Sequence, residues 1–394
     1  MKHMYIHIPF CKKICSYCDF CKMFYNHEFI DKYLDELNNE ITNYYNGEEM
    51  ETVYIGGGTP SSLSHDELNK LFQILSVVKV SNNYEYSFEC NPDDITEELI
   101  DILIKNRVNR ISIGIESFDK DNLGFMERSV DFKDIQNKIN MIRIKGIDNI
   151  NLDLIYGIPG ENIKTLEKDL KLIVKLKPKH ISTYSLQIEE HTKIYNEGIN
   201  PIDEDLDSKM YFTIIKYLKK KGYNHYEISN FSLKGYESSH NLSYWNNEEY
   251  YGFGLGASGY VDGFRYDNTR NLNKYLSGDY HNYESLLGND DKMYDEVMLG
   301  LRKTKGINLK NFENKYGIKF ENKIYFTKNN DQYHYNILQT NRSINNSWQH
   351  IRLSVNTNTI PANQTQTLYQ LLDPVNSQVH LRFQREVNTA AYSY

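Results

Sequence analysis

Residues 5–18, YIHIPFCKKICSYC, fall into two halves of different chemistry. Tyr5–Phe10 is β-branched and aromatic, and its alternation reads as a strand. Cys11, Cys15 and Cys18 follow at C-x3-C-x2-C spacing, and Cys21 comes three residues later. Four of the chain's five cysteines therefore crowd into eleven residues behind a first strand. Three thiolates in one tight loop can hold three irons of a cubane cluster and leave the fourth iron open for a ligand. The alternative is a structural zinc ion with four thiolates, Cys21 being the last. Zinc sites usually come as C-x2-C pairs well separated in sequence, which one compact loop fits poorly. Cys21 reads either as a fourth ligand in a resting cluster or as a neighbouring thiol.

Outward from this loop, strand-like segments recur at 4–9, 52–56, 84–89, 110–115, 150–156 and 180–187, with amphipathic stretches at 27–47, 64–79, 96–106, 132–146 and 163–176. Short buried strands alternating with helices imply an α/β fold with a parallel sheet. Right-handed crossovers curl such a sheet into a full or partial barrel. Chemistry in such folds sits at the carboxyl ends of the strands. The unusual residues lie there: Cys11, then GGGTP (56–60), ECNP (89–92), IES (115–117) and YGIPG (156–160). After residue 200 the pattern changes to a helix at 203–221, a Gly-rich loop region around 252–263, and a helical stretch at 290–320 that ends near Gly317.

The chain has 394 residues, a formal net charge of −8 and 40% hydrophobic residues. That length supports a large core and more than one domain. An acidic balance argues against a nucleic-acid binder. No apolar run is long enough to span a bilayer, and the first strand begins near Tyr5, which leaves no leader peptide. The expectation is a cytoplasmic protein whose clustered cysteines serve metal or redox chemistry. Residues 331–394 break the pattern: they hold no lysine and eight glutamines, against three in 1–330. They read as an atypical, poorly packed or independently ordered tail.

The C-x3-C-x-aromatic-C arrangement, with Tyr17 as the aromatic, resembles the signature of the radical S-adenosylmethionine (SAM) superfamily. The resemblance implies a partial (β/α)6 TIM-like barrel, a [4Fe–4S] cluster on Cys11, Cys15 and Cys18, and SAM chelated at the open iron. Reduction then cleaves SAM to methionine and a 5′-deoxyadenosyl radical, chemistry that belongs to the cofactors. It further implies that Gly56, Gly57, Gly58, Thr59 and Pro60 grip the methionyl amino group, with Tyr5 beside the site. Glu89 would contact the amino group or ribose. Glu116 stands where relatives usually have Gln. Arg128 would pair with the SAM carboxylate, although Val130 replaces the histidine that normally follows. Asp153 and Ser185 would face ribose and adenine. From the residues alone, Asp153 among apolar strand neighbours needs a polar partner, and Cys90 reads as a packing residue.

A second block, HYEISNFSLKGYESSHNLSYWNNEEYYGFGLGASGYVDGFRYDN (225–268), resembles the haem chaperone family related to oxygen-independent coproporphyrinogen III oxidases. Its centre is HNLSYW. The resemblance implies haem held at His240, with Tyr244 and Trp245 offering flat faces to a porphyrin. The oxidases themselves typically carry a long extension before the cluster loop and a fourth cysteine two residues after the third. Here the loop starts at residue 11, and Phe20 stands at that position.

The fold expectation adds a smaller C-terminal α+β domain to the barrel, and the domain expectation is a radical SAM core barrel at 1–200, a family-specific region with the HNLSYW block and a small helical C-terminal domain at 201–325, and an atypical tail at 326–394. The functional expectation is a haem chaperone passing haem to recipient haem proteins, supplied by an electron donor and compatible with peripheral membrane association. Its rivals are oxidative decarboxylation of coproporphyrinogen III and a zinc-stabilised binding module.

Overall fold

A computed structural model describes residues 1–320 in full, and beyond them the strand backbones of 324–329, 332–337, 352–355 and 379–380. The chain divides into two compact units. The first comprises Met1–His225, Ser229–Ser243 and Glu248–Ser285, and the second Tyr226–Ile228, Tyr244–Asn247 and Leu286–Tyr394.

In the first unit the strands are β1 (His3–Ile8), β2 (Phe10–Cys11), β3 (Met23–Phe24), β4 (Met50–Gly57), β5 (Val80–Cys90), β6 (Arg110–Glu116), β7 (Asn149–Tyr156), β8 (His180–Ser185), β9 (Asn224–His225), β10 (Asn230–Ser232), β11 (Tyr250–Phe253), β12 (Ser258–Val261) and β13 (Phe264–Asn268). They form one sheet with β14 (His281–Leu286), in the order β14-β13-β12-β11-β1-β4-β5-β6-β7-β8-β10-β9, while β2 and β3 pair separately. The run β1-β4-β5-β6-β7-β8 is parallel throughout. It matches the six strands read from the sequence.

Helices α1 (His27–Tyr44), α2 (His65–Ile74), α3 (Glu97–Lys105), α4 (Lys120–Phe125), α5 (Phe132–Ile144) and α6 (Ile163–Lys175) occupy the crossovers, and α7 (Lys193–Asn196) and α8 (Glu204–Lys220) come after β8. Their starts are written in the sequence. Asn26, Ser64, Thr96, Asp131 and Asn162 each accept a first-turn N–H with the side chain, and Ser64 closes a capping box with Glu67. Alternation along the strands sorts two faces. Met4, Ile6, Ile8, Val53, Ile55, Ile111, Ile113, Leu152 and Leu154 share one core with the helices. His3, Tyr5, His7, Thr52, Tyr54, Glu89, Ser112 and Asp153 take the opposite phase, so the other face of the sheet is polar and titratable.

The stretch 252–263 is only partly a loop: it holds the end of β11, a turn at 254–257 and all of β12, with α9 (Ser239–Trp245) before it and α10 (Leu272–Tyr275) after. Its glycines serve close approach rather than flexibility. A Cβ on Gly252 would lie 1.8 Å from the Ser258 carbonyl oxygen, and one on Gly259 would lie 2.1 Å from the Tyr266 ring.

In the second unit, α11 (Asn289–Gly300) and α12 (Leu309–Tyr316) pack through Met293, Val297, Leu301 and Phe312. Gly317 ends α12 in the left-handed conformation, φ 68°, as its position after the last helical residue predicts. Strands β15 (Ile324–Asn329), β16 (Gln332–Ile337), β17 (Arg352–Val355) and β18 (Val379–His380) form a separate four-stranded sheet. The rest of the tail expected from 326 on lies outside the described residues.

Candidate functional site

The cysteine loop follows β1 directly, and the short β2–β3 pair bridges its two ends. Tyr25 N–H donates to the Cys11 carbonyl at 2.9 Å and Met23 N–H to the Pro9 carbonyl at 2.8 Å, so the loop starts and closes beside the same strand. Thr59 Oγ1 donates to Cys11 Sγ at 3.4 Å, and Arg128 Nη1 lies 3.5 Å from Cys15 Sγ. Burial pushes the Cys11 thiol up and raises Cys18 to about 11. Both feel the charges of the other loop thiols. Thiols held this way stay protonated until a metal displaces the proton.

Cys21 is oriented otherwise. Its Sγ abuts Gly256, where a Cβ would come within 2.9 Å, and its charged neighbours are Arg270 and Lys22 rather than the loop thiols. This supports the reading of Cys21 as a neighbouring thiol. Among the described residues no three His, Cys, Asp or Glu side chains converge as ligands of a single ion would.

The glycine segment is packed as tightly as its composition suggests. A Cβ on Gly58 would meet the Pro9 backbone at 2.8 Å and Cys11 Sγ at 2.9 Å. One on Gly56 would meet the Glu89 carboxylate at 2.8 Å. Gly57, at φ 120°, leaves no room beside the His7 ring, 2.7 Å away. Pro60 begins the short helical turn 60–62 with Thr59 before it.

Glu89 sits behind this segment. It accepts from the Tyr54 hydroxyl at 2.8 Å and from Gly57 N–H at 3.0 Å, and burial raises it to about 7. Glu116 lies at a strand irregularity with φ 67°. It takes a hydrogen bond from Tyr17, and burial raises it to about 7 against the pull of the Arg128 charge. Arg128 donates to Asn91 Oδ1 at 3.1 Å and to the Gly114 carbonyl. Its buried Nε has no partner among the described residues. The structure thus brings Tyr17, Cys15, Glu116 and Arg128 together.

Asp153 has the polar partners its setting demands. It accepts from Ser112 Oγ at 3.1 Å and from Asn151 Nδ2 at 2.7 Å, while burial raises its pKa. Ser185 Oγ donates to Asp207 Oδ1 at 2.5 Å. Cys90 is buried in the core, as a packing residue is.

His240 is 2% exposed, its Nδ1 lies 2.7 Å from Thr52 Oγ1, and its ring stacks on Tyr54. It presents no face to a porphyrin in this structure. Tyr244 and Trp245 belong to the second unit, where the Arg302 guanidinium lies 4.5 Å from the Trp245 ring centre.

His7 and Tyr54 were not expected as site residues. Nε2 of His7 lies 2.7 Å from the Cys21 carbonyl oxygen and Nδ1 lies 3.0 Å from the Tyr5 hydroxyl. The carbonyl can only accept, so Nε2 carries the proton and Nδ1 accepts from Tyr5. Burial lowers His7 to about 4, which keeps this neutral form. The available signal was the alternation His3, Tyr5, His7 along the first strand.

Residues 5–173 match the sequence model of the radical SAM superfamily and residues 287–324 that of the HemN C-terminal domain. Heme chaperone HemW of Lactococcus lactis is 39% identical over 329 residues, which cover 82% of this chain and 86% of that protein. HemW of Bacillus subtilis is 39% identical over 331 residues, 80% of this chain and 87% of that one. HemW of Escherichia coli is 31% identical over 306 residues, 75% and 81% of the two. The fold is similar to that of coproporphyrinogen III oxidase (HemN) from Escherichia coli, with a TM-score of 0.73 at 23% identity over 81% of this chain and 80% of that one. Among the described residues no helix is long and apolar enough to cross a membrane. The chain belongs to the HemW haem chaperone family of the radical SAM superfamily.

Proposed function

We propose that this protein binds one [4Fe–4S] cluster and SAM in its first unit and carries haem to recipient haem proteins in the cytoplasm. The observation that carries the cofactor half is the crowding at Gly58, which packs the glycine segment onto Cys11 and Pro9 with no space for a side chain. The donor set fits. Cys11, Cys15 and Cys18 supply thiolates, the natural iron–sulfur ligands. Arg128, whose Nη1 lies beside Cys15, keeps a buried Nε with no partner among the described residues, a cation with a donor to spare for a carboxylate. Cys11, Cys15 and Cys18 would hold the cluster, which when bound would supply a site for SAM and the electron for its reductive cleavage.

The chain's own residues orient the ligand. Backbone groups of Gly56–Gly58 approach the methionyl end. Glu89, with its carboxyl near 7, offers an acceptor or a donor to the amino group or ribose. Asp153 and Ser185 are the candidates for the nucleoside end, and Thr59 and Pro60 hold the turn. The relatives are named haem chaperones, which supports haem as cargo. Because His240 is enclosed, we assign no iron ligand on this chain.

The test is anaerobic reconstitution. Iron and sulfide near four per chain, SAM binding, and stable haem binding without turnover of coproporphyrinogen III would support the reading. Conversion to the divinyl product with haem inert would make the protein an oxidase. Zinc without iron and sulfide would end both.

A further inference from the structure

The histidine of the HNLSYW block is joined to the glycine-and-carboxylate end of the first unit by an unbroken set of contacts. His240 Nδ1 and His3 Nδ1 lie 2.7 and 3.0 Å from the same Thr52 hydroxyl. That hydroxyl has one proton, so it cannot donate to both rings, and at least one imidazole Nδ1–H donates to it. His3 Nε2 is anchored in turn on Glu248 at 2.8 Å. The His240 ring, held this way, stacks on Tyr54 at 5.1 Å between centroids with 27° between planes. Tyr5 closes the cluster, 6.1 Å from Tyr54 and 6.5 Å from His240. The Tyr54 hydroxyl then donates to Glu89, whose other oxygen takes the Gly57 N–H. The helix carrying His240 is itself pinned to the same sheet. The Glu85 carboxylate accepts the Ser239 N–H at 3.0 Å and the His240 N–H at 3.1 Å.

We infer that His240 is a positioning residue for SAM rather than a haem-iron ligand: its ring fixes Tyr54, and Tyr54 fixes the Glu89 carboxyl against the glycine segment. The inference rests on the SAM reading above. It gives the family-specific block a task inside the first unit. Removing the ring opens space beside Tyr54, the hydroxyl loses its fixed place on Glu89, and SAM meets a less ordered acceptor. Removing the ligating nitrogen while keeping a flat ring leaves Tyr54 where it is.

The experiment uses the full chain with its cluster reconstituted. SAM affinity is measured by equilibrium dialysis and haem binding by absorption titration, for the wild type, His240→Ala, His240→Phe and Tyr54→Phe. Losing one ordered hydrogen bond to a carboxyl weakens SAM about five- to tenfold in His240→Ala and Tyr54→Phe, while His240→Phe stays within about twofold of wild type in both ligands. His240→Phe as weak for SAM as His240→Ala overturns the inference. So does loss of haem binding in His240→Phe with SAM affinity intact, the pattern of an iron ligand. Should His240→Ala fail to fold, Tyr54→Phe carries the test, and wild-type SAM affinity in that variant overturns the inference. Wild-type protein that takes up no SAM refutes the underlying reading instead, a separate result.

Discussion

His7 and Cys21 are joined by a hydrogen bond of 2.7 Å from the imidazole Nε2 to the carbonyl oxygen. It ties the far end of the cysteine loop to the strand that starts it. The same ring fills the space beside Gly57, so one side chain serves the loop and the glycine segment together. His7→Leu removes a bond to a buried carbonyl and should destabilise the protein by about 2 kcal/mol. It should also lower the iron retained per chain after reconstitution. His7→Gln, whose amide can still donate to the Cys21 carbonyl, should recover part of both. Equal iron content in His7→Leu and wild type would show that the loop holds its shape without this strut.

Gly58→Ala probes the packing of the glycine segment against the cysteine loop. The added methyl meets the Pro9 backbone at 2.8 Å, and backbone in a strand end cannot swing aside as a flexible side chain can. The loop bearing Cys11 must move. Expected outcomes are a loss of about 1–3 kcal/mol in urea unfolding, in the range of overpacked sites, and a cluster absorbance well below wild type. Wild-type values for both would mean that the loop gives way freely.

Much of this site was legible in the sequence, and the limits have physical causes. Cysteine spacing and the glycine run carry their meaning locally, so Cys11–Cys18 and Gly56–Gly58 can be named from the sequence alone. The six parallel strands and their helices are readable for the same reason: periodicity and capping residues are local. His7 and Tyr54 were missed because a polar residue in a strand gains a role only when register sets it against a neighbour. Tyr54 faces Glu89, thirty-five residues away. Helix α9 was missed because its cap comes from Glu85, more than 150 residues earlier in the chain. Gly252 and Gly259 looked like loop residues because the groups that forbid a side chain there lie on neighbouring strands. His240 shows the same effect in reverse: the motif drew attention to a haem ligand, and burial against Thr52 and Tyr54 encloses the ring.

Arg128 and Glu116 should behave as a coupled pair. Both are partly buried, and the Arg128 charge lowers the Glu116 pKa against the rise that burial causes. Arg128→Met leaves the carboxyl without its neighbouring cation and should lower stability in chemical unfolding. Glu116→Gln removes the isolated charge, so the double variant should regain part of that loss. A double variant whose cost equals the sum of the two singles would mean that the residues act independently.

Glu40 gives a pH test at a distance from the cysteine loop. It is 1% exposed on α1 and accepts from Tyr275 Oη at 2.6 Å, Asn268 Nδ2 at 2.6 Å and Gly254 N–H at 2.8 Å. Burial raises its pKa from 4.5 to about 7 despite these bonds. Between those two values the folded protein holds a proton that the unfolded chain has released, so this group makes stability fall as pH rises through the window. The contribution is complete below 4.5 and gone above 7. Two to three pH units correspond to about 3 kcal/mol. Glu40→Gln cannot titrate. Its stability relative to wild type should therefore improve by about that amount from pH 4.5 to pH 7.5, whatever the absolute cost of the amide. Other buried groups titrate in the same range and cancel in the difference. Urea unfolding of both proteins across this range measures it, and a pH-independent difference would show that Glu40 ionises in the folded protein as it does in the unfolded chain.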